Sequence, residues 1–456
     1  MRTIGLDIGT TTICAVLFDT DAAKTVETAV IPNDSFMNTG NTWEKIQNPQ
    51  QILSLANGLV KELLNKYSPV DGIGVTGQMH GIIYLDSNGN AVSPLYTWQD
   101  ARGDLPFLKN QSYSAYLSEV SGSRIAAGFG TATHFYNQHN NLIPGSAKVF
   151  CTIHDYVAMK LAQRNKPLLH PSDAASFGFY KIHDGKRAVC VLDEKSGEEA
   201  KIDMSFFPEV SNDYACLGLT SEGVPVYSAI GDNQASFIGS VRDAEHSILL
   251  NVGTGSQISL LSGEYYSGDK LETRPYLEGN FLVVGSSLCG GRAYALAKQF
   301  FDEFFREANL EGINTYAVLD RLAEKGADLP NPLIISTKFS GTRHNPLERG
   351  SILNIGIDNF TPAHFSAGIL QGIVNELYEF YCEYSAKHDF KPDYLVGSGN
   401  GIRKGKVLCS LFSRTFNAPL NIPAQKEEAA FGAALYALVG AGGASTIGQA
   451  QEFISY

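Results

Sequence analysis

The sequence has no Lys/Arg-rich tract, and its formal net charge is −12 at pH 7. That argues against nucleic acid or an anionic membrane surface as a partner. It does not argue against a phosphorylated ligand, which backbone N–H groups and a divalent cation can hold without a basic surface. Long apolar runs are missing too. "TTICAVLF" is too short to span a bilayer, no later segment is long enough either, and no basic n-region precedes an apolar h-region. Cysteine is sparse. The seven residues Cys14, Cys151, Cys190, Cys216, Cys289, Cys382 and Cys409 are dispersed, with no CxxC spacing. This disfavours a disulfide frame or a zinc site and leads to the expectation of reduced thiols in a cytoplasmic protein. There is no GxxxxGK[ST] either, so a P-loop is excluded.

What is present is 456 residues of ordinary globular composition, rich in glycine and aromatics. That length predicts two domains or more. "GLDIGTTTICAVLFD" reads as a hairpin. In "PQQILSLANGLVKELLNKY", Ile52, Leu55, Leu59 and Leu63 fall on one helical face. "VDGIGVTGQMHGIIYLDSNGNAV" reads as strand, Gly-bounded loop, strand and turn, and "CTIHDYVAMKLAQ" as a helix. Residues 181–215 read as a polar, irregular surface excursion. Near residue 230 the pattern restarts. "HSILLNVGTGSQISLLSG" repeats the opening hairpin in kind. Leu296, Phe300, Phe304 and Phe305 mark an amphipathic helix, and "PAHFSAGILQGIVNELYEFYCEYS" predicts another. "DYLVGSGNGIRK" reads as strand, Gly-rich loop and helix, and "EEAAFGAALYALVGAG" as a small-residue helix for close packing. Two related α/β domains facing a cleft are expected, divided as 1–229 and 230–456.

The bend after Asp7, with Gly9, Thr10, Thr11 and Thr12, has two readings. One is a plain hairpin in which threonine serves β-structure. The other is a phosphate cradle of backbone N–H groups and hydroxyls, with Asp7 facing the phosphate through magnesium and its waters. Three further stretches need the same explanation: Gly231–Ser236, Gly253–Gly255 and Gly397–Gly401. "GSGNG" approximates a dinucleotide-binding turn. It lies near the C-terminus, however, and no strand about 20 residues on supplies a ribose-binding acid.

Taken together and in this order, "DIGTT", "GQMHG", "TWQDARG", "GDNQAS", "NVGTGSQ", "GSGNG" and "EEAAFGAAL" resemble the FGGY carbohydrate kinases, over nearly the whole chain. These enzymes share the ATP site of the actin, hexokinase and Hsp70 superfamily. The resemblance implies an α/β fold of two actin/hexokinase-like (ribonuclease H-like) domains flanking a central cleft. It implies ATP-dependent phosphorylation of the primary hydroxyl of a ketose, with Mg2+ as cofactor and a monomer or homodimer as the assembly. Asp232 becomes the catalytic base and a metal ligand beside Asp7, where the residue alone would read as a helix N-cap. Gln78, Met79, His80, Trp98, Asp100, Arg102 and Asn233 become sugar contacts. A structural histidine and an ordinary buried salt bridge are the competing readings of His80 and of Asp100 with Arg102. Thr10, Thr11, Thr12, Gly253, Thr254 and Gly255 become phosphate contacts, and Gly291, Gly399 and Asn400 nucleotide contacts. A nucleotide-dependent binding protein on the same fold would lack the sugar loops.

Overall fold

The computed structural model describes residues 1–108, 110–183, 188–343 and 345–456. The opening hairpin forms as expected. Strand β1 (Arg2–Ile8) pairs antiparallel with β2 (Thr12–Asp19), which pairs antiparallel with β3 (Lys24–Pro32). The sequence of β2 is apolar at every interior position, so both faces can be buried. Ile13, Ala15 and Leu17 point into one core; Cys14, Val16 and Phe18 point into another. Helix α1 (Pro49–Tyr67) follows. Proline fits its first turn, and Asn48 caps it by accepting from the backbone N–H groups of Gln50 and Gln51. The chain then enters strand Gly72–Gly77, which lies parallel to β1. Strands Pro225–Tyr227 and Cys216–Leu219 extend this seven-stranded sheet, and Ile230–Gly231 also pairs with the 72–77 strand.

The second half repeats the wiring. Ser247–Val252 pairs antiparallel with Ser256–Ser262, which pairs antiparallel with Phe281–Ser287. Strand Tyr394–Ser398 then lies parallel to the 247–252 strand, as the 72–77 strand lies parallel to β1. Glu272–Pro275 and Leu420–Asn421 complete a six-stranded sheet. Each half therefore has an antiparallel meander with a parallel strand added beside its first strand.

Two helices lie between the sheets, Asp232–Ser240 and Glu428–Gly440. Their core contains Cys14, Val16 and Phe18 from the first sheet and Leu249, Leu282, Val284 and Val396 from the second. The 428–440 helix is built almost entirely of small and apolar residues, and it approaches backbone directly. A Cβ added at Gly5 of β1 would lie 1.8 Å from the Ala430 carbonyl oxygen; one at Gly432 would lie 1.9 Å from that of Ala235.

Three expectations are corrected. The 296/300/304 stripe lies on a helix, Gly291–Glu307, but Phe300 and Phe304 are 63% and 65% exposed. The buried face is formed by Ala293 and Ala297 instead. Periodicity fixed the helix but not which side met the protein. The 181–215 stretch is not irregular among its described residues. Tyr180–His183 pairs with Ala188–Leu192, helix Glu194–Ala200 follows, and Ala200 and Ile202 are buried. Finally, no separate loop holds "GSGNG". Helix Gly399–Lys404 starts directly at the end of the 394–398 strand.

Candidate active site

Parallel pairing brings distant sequence together at the first hairpin. Asp7 lies opposite Thr76, so the chain leaving the 72–77 strand runs beside the Gly9–Thr11 bend, and the Gln78 N–H donates to the Ile8 carbonyl at 3.0 Å. The Thr10 hydroxyl faces this loop. It donates to Gln78 Oε1 at 3.4 Å and accepts from Trp98 Nε1 at 3.1 Å. Gln47 ties the group, with its amide donating to the Thr10 carbonyl at 2.9 Å and accepting from Gln78 at 2.9 Å. Thr11 and Thr12 stay exposed at the bend.

His80 has φ +71°, an uncommon conformation for a residue with a side chain. Its ring stacks on Phe129 with centroids 4.4 Å apart. Its Nδ1 lies 2.8 Å from the Ser176 carbonyl. A carbonyl only accepts, so Nδ1 carries the proton and Nε2 is left as an acceptor. Burial, followed by the charge of Arg274, pulls His80 down to about 4, which keeps the ring neutral. Met79 is buried against Gly231, immediately before Asp232.

Asp100 does not offer a free carboxylate to a sugar, which corrects its expected role as a sugar contact, and Arg102 contacts that carboxylate as its orienting cation. Asp100 is 1% exposed, and its two oxygens receive the Arg102 N–H, Nε and Nη2 and the Lys45 N–H. Those four donors fill the carboxylate's acceptor sites. Arg102 also donates to Asn137 at 2.7 Å and lies 4.1 Å from the centroid of the Tyr96 ring. The pair anchors the loop from below, while Trp98 stays half-exposed above it.

Asp232 opens the 232–240 helix, where the helix N-terminus favours a negative side chain. Its Oδ1 accepts from Asn233 at 2.9 Å, and Asn233 accepts in turn from Gln257 of the 256–262 strand at 2.7 Å. Asp232 and Asn233 thereby line one cavity of about 370 Å³ with Gly253, Thr254, Gly255, Ser286, Ser287 and Arg343. The second bend is closed by the Gly253 N–H donating to the Gly255 carbonyl at 2.9 Å. Gly291 meets this bend rather than open space: a Cβ there would lie 2.5 Å from the Gly253 carbonyl oxygen. Its glycine serves the packing of the 291–307 helix on the hairpin. Gly399 has φ +82° and also abuts the hairpin, with the Val252 oxygen 2.7 Å from a would-be Cβ; Asn400 beside it is exposed.

The electrostatics centre on Asp7 and Asp232. Burial and the charge of Asp232 push Asp7 up to about 7, with His154 opposing. Burial also raises Asp232, with Arg274, Asn233 and His154 opposing. Two mutually repelling carboxylates, each raised by burial, are suited to a hard divalent cation. Sequence reasoning missed His154 as a site residue, although its motif was visible. Its Nε2 lies 3.0 Å from Asp173 Oδ1, and both side chains are fully buried. Burial opposes charging the ring, yet Asp173, Asp155 and Asp232 raise it to about 9. Also missed was Glu272, held between Arg274 at 2.9 Å and Arg343 at 3.0 Å.

The whole chain superposes on solved sugar kinases. A xylulose kinase from Rhodospirillum rubrum matches with TM-score 0.83 and 20% identity, over 100% of this chain and 93% of that one. Plasmodium falciparum glycerol kinase with ADP matches at 0.80 and 19%, over 100% and 93%. With its two matching sheets and Asp232 sharing a cavity with the second bend, the protein is of the two-domain sugar phosphotransferase class. Residues 2–239 match the N-terminal domain, and residues 249–441 the C-terminal domain, of the FGGY family of carbohydrate kinases, and the chain belongs to that family. Among curated relatives, the sedoheptulokinase of Mus musculus is 27% identical, over 96% of this chain and 97% of its own. A xylulose kinase of Staphylococcus xylosus is 24% identical, over 99% and 94%.

Proposed function

We propose that this carbohydrate kinase transfers the γ-phosphoryl group of ATP to the primary hydroxyl of a ketose, with sedoheptulose as the favoured acceptor and sedoheptulose 7-phosphate as product. The observation that carries the chemistry is the shared cavity, which sets Asp232 beside the Gly253–Gly255 bend. Asp232 accepts the hydroxyl proton as the new O–P bond forms and the bond from Pγ to the bridging oxygen of ADP breaks. Raised by burial, its carboxyl is a better proton acceptor than an exposed aspartate. Asn233, held by Gln257, fixes the rotamer from which it acts. Asp7 and Asp232 would hold magnesium, which when bound neutralises charge on the phosphate oxygens.

The sugar lies against the 78–80 loop and Trp98. Neutral His80 presents Nε2 as an acceptor for one hydroxyl, and the indole face covers C–H groups. Thr10 bridges the two loops, so the first bend is tied to sugar binding as well as to phosphate. Asp100 and Arg102 keep Trp98 in place from below. Thr254, Gly399 and Asn400 line the nucleotide side. The choice of acceptor is supported by the stretches "TWQDARG", "GFGTATHFYN", "SDAASFGF" and "VGSGNGIRK", which are similar to those of sedoheptulokinases, and by the 27% identity to the mouse enzyme. The xylulose kinase match favours the pentulose as the second reading.

The test is ADP release across a panel of ketoses, with and without the substitution Asp232→Asn. Sedoheptulose should give the highest kcat/KM, and the variant should lose about 10³-fold in kcat with ATP affinity retained. A preference for xylulose would overturn the acceptor, and full turnover by the variant would overturn the role of Asp232.

A further inference from the structure

Neither phosphate hairpin carries a lysine or arginine. Residues 5–19 and 247–262 contain none. Yet the transferring phosphoryl group spreads negative charge over its equatorial oxygens, and preorganised positive charge at that point is among the largest contributions to catalysis. Among the described residues lining the Asp232 cavity, Arg343 is the one cation. It comes from a loop about 80 residues beyond the second hairpin.

The side chain is held in a way that suits this task. Nη1 donates to Glu272 Oε1 at 3.0 Å, and Arg274 Nη2 donates to the other oxygen of the same carboxylate at 2.9 Å. Arg124 approaches Glu272 Oε1 at 3.7 Å. Burial would raise Glu272, but Arg274, Arg343 and Arg124 pull it down to about 2, so it stays ionised. Three guanidinium groups share one carboxylate, leaving a surplus of two positive charges. The Arg343 Nε is buried and has no hydrogen-bond partner among the described residues. A buried unsatisfied donor on a charged group is costly, and an anionic ligand would satisfy it.

We propose that Arg343, clamped by Glu272, contacts the transferring phosphoryl group and stabilises its charge in the transition state. It would be a catalytic residue supplied by neither hairpin. The inference rests on the phosphotransferase reading of the cavity given above. The cavity that Arg343 lines holds Asp232 and the second bend together, where the acceptor oxygen and the phosphoryl group would meet.

The experiment compares wild type, Arg343→Gln and Arg343→Lys in steady-state turnover with ATP and the best ketose of the panel. It is paired with calorimetric affinities for ADP alone and for ADP with aluminium fluoride and sugar. The Gln variant should lose about 10²-fold in kcat, with sugar KM and ADP affinity within about threefold of wild type. It should also lose the added affinity that aluminium fluoride gives wild type. The Lys variant should recover part of both. If the Gln variant does not melt cooperatively, the Lys variant decides alone: kcat and fluoride-dependent affinity equal to wild type would overturn the proposal. A kcat unchanged in the Gln variant, or a loss confined to sugar KM, would also overturn it. Wild type that turns over no sugar would instead sink the underlying functional reading.

Discussion

His154 and Asp173 show how a single fully buried pair connects stability to pH. Unfolded, the imidazole titrates near its ordinary value of about 6.5; folded, it is raised to about 9. The folded state therefore holds the proton more tightly. The pair's contribution is complete below the unfolded value and is lost as pH rises through the folded one. The melting temperature of the ligand-free protein should fall between about pH 7 and 9, and His154→Gln should fall less steeply over that window. Equal slopes would assign the dependence to other groups. Residue scale is also where the sequence was hardest to read. Asp100 and Arg102 have the composition of a sugar site and of a buried ion pair alike. Only their exposure, about 1% each, and the four donors on the carboxylate separate the two. Glu272 and Arg343 are 71 positions apart, so no local pattern could announce their contact.

At the scale of elements, much was legible. The two hairpins and α1 follow from strand-forming runs and from apolar residues at helical spacing, and those signals are local. The exposed stripe of the 291–307 helix was not legible as such. Apolar residues at helical spacing give a helix a distinct face but do not say what covers it. The 428–440 helix is the opposite case. Its small residues announced close packing, and Gly5 of β1 and the Ala235 carbonyl of the 232–240 helix supply the partner surfaces. Gly432→Ala should therefore cost at least ~2 kcal/mol, because the backbone of the 232–240 helix at Ala235 and Gly239 resists the added methyl. Gly58→Ala on α1, where nothing lies within 4 Å, should instead stabilise by ~0.5–1 kcal/mol. Urea unfolding midpoints compare the two, and a neutral Gly432→Ala would contradict the tight contact.

For the whole molecule, one core spans both sheets through the two central helices, and Asp232 sits on the first turn of one of them. Closure of the halves would exclude water from the γ-phosphate while leaving that residue near the axis of motion. Small-angle scattering should show a smaller radius of gyration with a non-hydrolysable ATP analogue and sugar together; superimposable profiles would rule closure out. The repeated wiring has a further consequence. Asp7 stands second from the end of β1, and Asn251 stands second from the end of the 247–252 strand; each faces the parallel neighbour, at Thr76 and Ser398. The twins are alike in architecture but not in charge, since one carries an acid where the other carries its amide. Two acids there would crowd four negative oxygens around a polyanion. With one, a nucleotide held as proposed between the two bends would meet unlike ends and have a single way round to lie.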